Sequence, residues 1–369
     1  MNHAVPGIRP GPELSIVVPT FNERENVAEL LRLLEASLAG ISWEVIFVDD
    51  DSKDGTGSIV CALAQRDARV RCLQRIGRRG LASACIEGFL SSSAPYLAVM
   101  DADLQHDERI LPAMLAVLRR GDTDIAIGSR NIPGGAAHTD HRRDAMSRFA
   151  ARLSRTVLPA DLKDPMSGFF MTRREVVQES AHRLSAIGFK ILLDLFASST
   201  RPLRFCEIPY TFRERSHGES KLEPTVMWDY LLLLLDKIAG RFVPARFLSF
   251  LLIGSLGFVV HMSVLAGALK MLQAPFARAQ AAATVIAMTV NFLLNNLLTY
   301  RDQRLRGWRM LSGLLMFYAA CGLGAIANVG VATAVFERHY QWWLAGFAGV
   351  LIGAVWNYVA TAKTIWRGK

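Results

Sequence analysis

Val99-Met100-Asp101-Ala102-Asp103-Leu104-Gln105-His106 is the stretch on which the reading of the fold turns. The apolar run Tyr96 to Met100 leads into it and reads as a buried strand. Residues i and i+2 of an extended chain point the same way, so Asp101 and Asp103 emerge together where the strand ends. Two carboxylates that close repel unless a cation lies between them. An oxygen-rich site with few protein ligands suits Mg2+ or Mn2+ and leaves coordination positions for substrate phosphates. A solvated acidic turn would show the same pattern, so the weight falls on what surrounds it.

Outward from that strand, apolar runs and amphipathic segments alternate. Strands are predicted at Leu14 to Thr20, Trp43 to Val48, Val70 to Leu73, Asp124 to Gly128 and Arg204 to Tyr210. Helical faces lie between them, among them Val27, Leu30, Leu31, Leu34 and Leu38, and Ile110, Leu111, Met114, Val117 and Leu118. Asn22 with Glu25 has the spacing of a capping box for the first helix. This β-α-β-α order predicts an open, largely parallel α/β sheet with helices on both faces. Ligands of such sheets bind beyond the carboxyl ends of the strands. Pro19-Thr20, Asp49 to Asp51, Asp101 with Asp103, and Ser129-Arg130 all fall at such ends. An acid after the second strand suits ribose hydroxyls or a base edge, and Arg130 suits a phosphate. No G-x-G-x-x-G follows the first strand, which disfavours a dinucleotide cofactor. The loop from Asn131 to Arg143, with Gly134-Gly135, has the composition of a segment that closes over a site. Asp164-Pro165-Met166-Ser167-Gly168-Phe169-Phe170 reads as a turn feeding another strand. The basic segment Arg213 to Lys221 suits either a pyrophosphate or lipid head groups.

The chain carries 42 Lys and Arg against 33 Asp and Glu, a net charge of +9, which fits an anionic partner. Its arginines form no stripe with interleaved aromatics, so nucleic acid is the least favoured of the anionic partners. The five cysteines lack C-x-x-C spacing and read as reduced thiols. Residues 1–12, rich in Pro and Gly, read as a disordered lead without the apolar core of a signal peptide.

Five motifs in register resemble dolichol-phosphate mannose synthases, glycosyltransferases of family 2 with the GT-A fold. They are Pro19-Thr20-Phe21-Asn22-Glu23-Arg24-Glu25-Asn26, Val48 to Thr56, Met100 to His106, Gly128-Ser129-Arg130 and Gly218-Glu219-Ser220-Lys221-Leu222. The resemblance covers roughly residues 13–225 and implies a Rossmann-like GT-A catalytic domain there. It implies that Pro19, Phe21, Glu23 and Asp50, with Asp101 and Asp103, hold a nucleotide sugar. Asp101, Asp103 and Gln105 would ligate a divalent metal, Mg2+ or Mn2+. Arg130, Arg215 and Lys221 would meet donor or acceptor phosphates, and Ser167 and Arg143 would lie on the acceptor side. The implied reaction moves mannose from GDP-mannose to a polyprenyl phosphate, dolichyl or undecaprenyl, with inversion. Phe21 stands where the family often has Tyr, Asp51 and Lys53 depart from the commoner Asn or Gly and Pro, and Asn131 replaces an aromatic, which leaves the choice of sugar and base open. The alternatives are a glucosyltransferase using UDP-glucose and undecaprenyl phosphate, or a lipid-linked-sugar flippase or anchor with an inactive soluble domain.

Beyond residue 225 the composition turns apolar. Residues 226–243 read as an amphipathic helix at a membrane interface or as a last helix of the soluble core. Residues 244–369 carry four segments near 247–269, 279–300, 310–336 and 342–362, each about 20 residues or more, the length that crosses a bilayer. Arg301, Arg304, Arg306 and Arg309 in the middle link, and Lys363, Arg367 and Lys369 in the tail, place both chain ends and the catalytic domain in the cytoplasm. Asn291-Phe292 with Tyr300 recurs 66 residues on as Asn357-Tyr358 with Trp366, and Gly254 and Gly257 are echoed by Gly322 and Gly324. Two hairpins from one duplicated unit account for this. Asn291, Asn295, Asn296 and Asn357 are expected to pair with one another or with the soluble domain. This part resembles the GtrA-like membrane family, which implies an anchor with a possible part in presenting lipid.

Overall fold

The computed structural model describes residues 11–137, 160–185, 188, 190–213, 228, 231–233, 235–236, 243–273, 275–300, 303–339 and 342–366. The chain divides into two units, Met1–Ile238 and Ala239–Lys369.

The first unit is built on strands β1 (Leu14–Thr20), β2 (Trp43–Asp49), β3 (Val70–Gln74), β4 (Tyr96–Val99) and β5 (Ile125–Ser129), alternating with helices α1 (Val27–Ser37), α2 (Thr56–Ala64), α3 (Leu81–Ser91) and α4 (Leu111–Arg119). The short β6 (Ala136–Ala137) follows, then β7 (Phe170–Arg173), α5 (Arg174–Ser180), α6 (Ile191–Ser198), β8 (Phe205–Pro209) and β9 (Thr211–Phe212). The main sheet has the order β3-β2-β1-β4-β7-β5-β8, and β6 pairs with β9 apart from it. Odd and even residues of each strand feed opposite faces. Ile16 and Val18 join Val27, Leu30, Leu34 and Met114 on one side. Val17 joins Val48, Cys85, Phe89 and Leu193 on the other. The strands are therefore apolar on both faces, as a helix-covered sheet requires.

One strand runs against the otherwise parallel main sheet, and one predicted cap does not form. β7 runs antiparallel between β4 and β5, with Phe170 opposite both Val99 and Ile127. An antiparallel strand presents its start where its neighbours end, so residues 164–168 arrive at the same edge as Asp101. The capping box does not form. Asn22 lies at φ +54 with its side-chain oxygen accepting from the Lys53 N–H, and α1 begins after Asn26, whose amide donates to Glu23. The turn from β1 takes precedence over the cap.

The second unit has helices α7 (Ala245–Lys270), α8 (Phe276–Leu294), α9 (Trp308–His339) and α10 (Trp342–Thr364), at the positions of the four expected segments. Among the described residues, Arg246–Lys270 and Ala281–Thr299 are long and apolar enough to cross a membrane, with mean hydropathy 2.1 and 1.6. A π-turn, Asn295–Thr299, ends α8. Among the described residues the asparagines bond to main-chain and indole groups, one of them on another asparagine. Asn296 accepts from the Leu305 N–H and the Trp366 indole, and Asn295 donates to the Asn291 carbonyl. Tyr300 stacks on Trp366 with ring centres 4.2 Å apart and 4° between planes.

The duplication is also spatial. A Cβ on Gly257 would lie 2.0 Å from Asn291 Oδ1, and one on Gly324 would lie 2.0 Å from Asn357 Oδ1. In each hairpin an asparagine fills the notch left by a glycine on the other helix. Gly257→Ala and Gly324→Ala are each expected to destabilise the protein by about 1–3 kcal/mol through overpacking. Gly254→Ala, where nothing lies within 4 Å, should change little. Thermal unfolding in detergent checks this, and Gly257→Ala combined with Asn291→Ala should recover part of the loss.

Candidate active site

The carboxyl edge of the main sheet gathers the chemistry. In the parallel register of β1 and β4, Val17 faces Val99, so Asp101 falls level with Pro19. Thr20 faces Asp49, and the Asp50 N–H donates to the Thr20 carbonyl. Pro19, Phe21, Glu23, Asp50, Asp101, Asp103, Gln105 and Arg130 thus come from β1, β2, β4 and β5 to one edge.

Asp103 is 6% exposed, and its Oδ1 accepts from the Gln105 N–H at 3.2 Å. Leu104 between them takes φ +63, the tight turn that brings Gln105 back towards Asp103. Gln105 and Arg213 are tied reciprocally. The Gln105 side-chain amide donates to the Arg213 carbonyl at 3.0 Å, and the Arg213 N–H donates to the Gln105 carbonyl at 2.9 Å. Arg213 is held further by Asp107 and Glu108, each at 2.8 Å. The basic segment therefore starts beside the D-A-D turn. Arg143, Arg215 and Lys221 lie outside the described residues.

His106 is buried behind Asp101. Its Nδ1 accepts from the Asp101 N–H at 3.0 Å, and its Nε2 lies 3.7 Å from Asp101 Oδ2. Burial lowers its pKa to about 4, with the Arg130 and Lys190 cations adding to that and the Asp103 and Asp164 carboxylates opposing it. The Asp101 side chain is 37% exposed on its other side.

These residues fit an oxygen-preferring divalent cation. Among the described residues no group of three or more His, Cys, Asp or Glu is gathered as a ligand set. A cation at this edge would draw on the two carboxylates and the amide oxygen of Gln105, whose NH2 is turned to Arg213. Such a set leaves positions for phosphate oxygens.

Several assignments look different in place. Asp50 sits at the expected edge, but its carboxylate is taken by Arg75 at 2.8 Å and the Gly80 N–H at 2.7 Å. It braces the 75–80 loop rather than pointing outward, and burial raises its pKa against those partners. From that loop Arg79 lays its guanidinium 4.1 Å over the Phe21 ring. The Glu23 N–H donates to Thr56, and its carboxylate accepts from Asn26. Ser167 is 2% exposed, and its hydroxyl donates to the Gly128 carbonyl at 2.7 Å, a framework contact rather than one facing an acceptor. Arg130 forks onto Asp164 at 2.8 and 2.9 Å and lies 5.2 Å over Phe212.

The sequence reading gave no role to Asp164 or Lys190, and took Arg213 only as the start of the basic segment. Lys190 donates to the Met166 carbonyl at 2.7 Å. Burial, with Arg130 nearby, lowers its pKa to about 8. The partners of these residues are not marked locally, because each acts across a long chain separation. The D-P-x-S-G motif was the one available signal for Asp164.

A family model described as glycosyl transferase family 2 matches residues 15–180, and one described as GtrA/DPMS, transmembrane domain, matches residues 249–366. A dolichol-phosphate mannosyltransferase of Pyrococcus furiosus is 33% identical over 357 residues, covering 96% of this chain and 99% of the relative. The enzyme of that name from Saccharomyces cerevisiae is 36% identical, covering 62% and 88%. A polyprenol monophosphomannose synthase of Mycolicibacterium smegmatis is 34% identical, covering 65% and 92%. Among solved structures, glucosyl-3-phosphoglycerate synthase from Mycobacterium tuberculosis, in complex with Mn2+, UDP-glucose and phosphoglyceric acid, matches with TM-score 0.49 and 16% identity over 62% of this chain and 80% of that one. With a relative aligned along its whole length and both domain families matched in order, the chain belongs to the dolichol-phosphate mannosyltransferase family, a family 2 glycosyltransferase domain of GT-A fold joined to a GtrA/DPMS transmembrane domain.

Proposed function

We propose that the protein transfers mannose from GDP-mannose to a polyprenyl phosphate, dolichyl or undecaprenyl, with inversion, giving a polyprenyl-phosphate β-mannose at the cytoplasmic face of a membrane. The observation that carries this reading is the reciprocal tie between Gln105 and Arg213. It starts the basic segment beside Asp101 and Asp103. Arg215 is two residues further on, within about 7 Å of chain. A nucleotide diphosphate and an anionic acceptor both need cations at that edge. The relatives named for dolichol phosphate or polyprenol and for mannose supply the substrate classes.

An acceptor phosphate oxygen is already a nucleophile at neutral pH. It forms the bond to the anomeric carbon as the bond from that carbon to the nucleotide diphosphate breaks, and no proton has to be removed. That agrees with the surroundings of the edge, where His106 is neutral and its Nδ1 is occupied. Asp101, Asp103 and Gln105 would hold a divalent cation, which when bound offsets charge on the leaving diphosphate. Arg130, Arg215 and Lys221 would offset the rest. Pro19, Phe21 and Glu23 would line the nucleotide side, with Asp50 fixing the 75–80 loop there, and Arg143 would lie on the acceptor side, while Ser167 holds the turn before β7 through the Gly128 carbonyl. The arginines of the 301–309 link and the basic tail favour a cytoplasmic catalytic domain with both termini inside.

The test is incubation of purified protein with Mg2+, a polyprenyl phosphate and a set of nucleotide sugars. A mannolipid formed from GDP-mannose is the expected product. A glucolipid from UDP-glucose would replace the donor, and no sugar-lipid from any donor would overturn the reading.

A further inference from the structure

We propose that His106 is a positioning residue that fixes Asp101 for a divalent cation, gripping it at its main-chain N–H and facing its carboxylate. The inference rests on the proposed metal site and adds a part of it that lies behind the ligands. Nδ1 accepts the Asp101 N–H at 3.0 Å, so that nitrogen carries no proton. The imidazole is therefore neutral with its proton on Nε2. Nε2 faces Asp101 Oδ2 at 3.7 Å, beyond hydrogen-bond length but near enough for the N–H dipole to orient the carboxylate. One ring thus addresses both the backbone and the side chain of the same aspartate.

The ring itself has little freedom. It is 3% exposed. It stacks on Phe169 at 5.0 Å and 11°, meets Tyr210 at 6.0 Å and 72°, and meets Phe212 at 5.8 Å and 60°. Gly168 closes the remaining inner side. A Cβ there would lie 3.5 Å from Asp101 Oδ2 and 3.7 Å from His106 Cε1, ordinary contact with both. The Asp101 carboxylate is therefore backed by an imidazole and a glycine. A neutral partner orients a ligand without cancelling its charge, whereas an imidazolium would compete with the cation. Outer groups of this kind typically change metal affinity 10–100-fold when removed.

The test is Mn2+ binding to the full chain in detergent, read from the paramagnetic resonance of free Mn2+ with GDP present and no turnover. His106→Asn places an amide oxygen where Nδ1 accepts but has no N–H in place of Nε2. It should raise the Mn2+ Kd of the folded protein roughly tenfold. His106→Phe removes both contacts and should raise it by about a hundredfold. An unchanged Kd in His106→Asn would overturn the inference while leaving the metal site standing. A wild-type protein that takes up no Mn2+ would overturn the metal site itself. A measurement on the unaltered protein guards against variants that fail to fold. The nitrogen-15 shifts of His106 should report the Nε2–H form and move on addition of Mg2+, and an Nδ1–H form would sink the inference.

Discussion

Asp103→Asn lowers the rate of sugar transfer by at least about a hundredfold and leaves the protein as stable as before, or more so. The two effects have opposite signs for one reason. Asp101 and Asp103 follow β4 two residues apart, and two carboxylates brought to one cation repel each other in its absence. Asparagine keeps the oxygen that accepts the Gln105 N–H, so the turn at Leu104 is retained. It removes the charge and thus relieves the repulsion. Catalysis loses the field that holds a cation against the departing diphosphate, an interaction worth several kcal/mol. A merely structural lesion would lower activity and stability together. Mn2+ should raise the unfolding temperature of the wild type, because it binds only the folded chain, and should not raise that of Asp103→Asn. Steady transfer to lipid by purified Asp103→Asn protein would remove these residues from the chemistry.

The local parts of this site are legible in the sequence because they sit on one strand end. Tyr96 to Met100 reads as a buried strand, Leu97 to Met100 are buried, and Asp101 follows where the strand ends. The two-residue period of a strand likewise puts Ile16 and Val17 of β1 on opposite faces. What escapes is whatever depends on distant pairing. Nothing local tells that β7 runs antiparallel, yet this direction brings Asp164, Ser167 and Gly168 to the edge and turns the Ser167 hydroxyl inward. Asp50 is a similar case. Its position after β2 is readable, but the Arg75 that captures its carboxylate lies beyond β3. Asn22 shows a local rule failing, since a positive φ required by the turn out of β1 overrides its use as a cap. In the apolar half, the sequence shows the Asn and Gly repeat but not its partners. In the structure Asn291 and Asn357 are each seated on a glycine of their own hairpin.

Asp164→Asn should destabilise the protein by about 3–5 kcal/mol, the usual result of breaking a buried charge pair from one side. Asp164 is fully buried, and both of its oxygens accept from the Arg130 guanidinium, one of them also from the Arg130 N–H. An asparagine there can accept one of these bonds but turns an NH2 towards a second N–H, donor against donor. Asp161, whose pair with Lys163 lies in solvent, is the control, and Asp161→Asn should shift stability by no more than about 0.5 kcal/mol. Denaturant unfolding in detergent measures both. The same pair separates stability from chemistry. Replacing both partners with apolar side chains of similar size, Arg130→Met with Asp164→Leu, removes two buried charges at once and should restore much of the lost stability. It should not restore sugar transfer. If the pair served only to hold β5 to the loop before β7, the apolar double variant would be active. A stable but inactive double variant means that the arginine is kept for its positive charge at the edge where two anions meet, and that the aspartate is there to aim it.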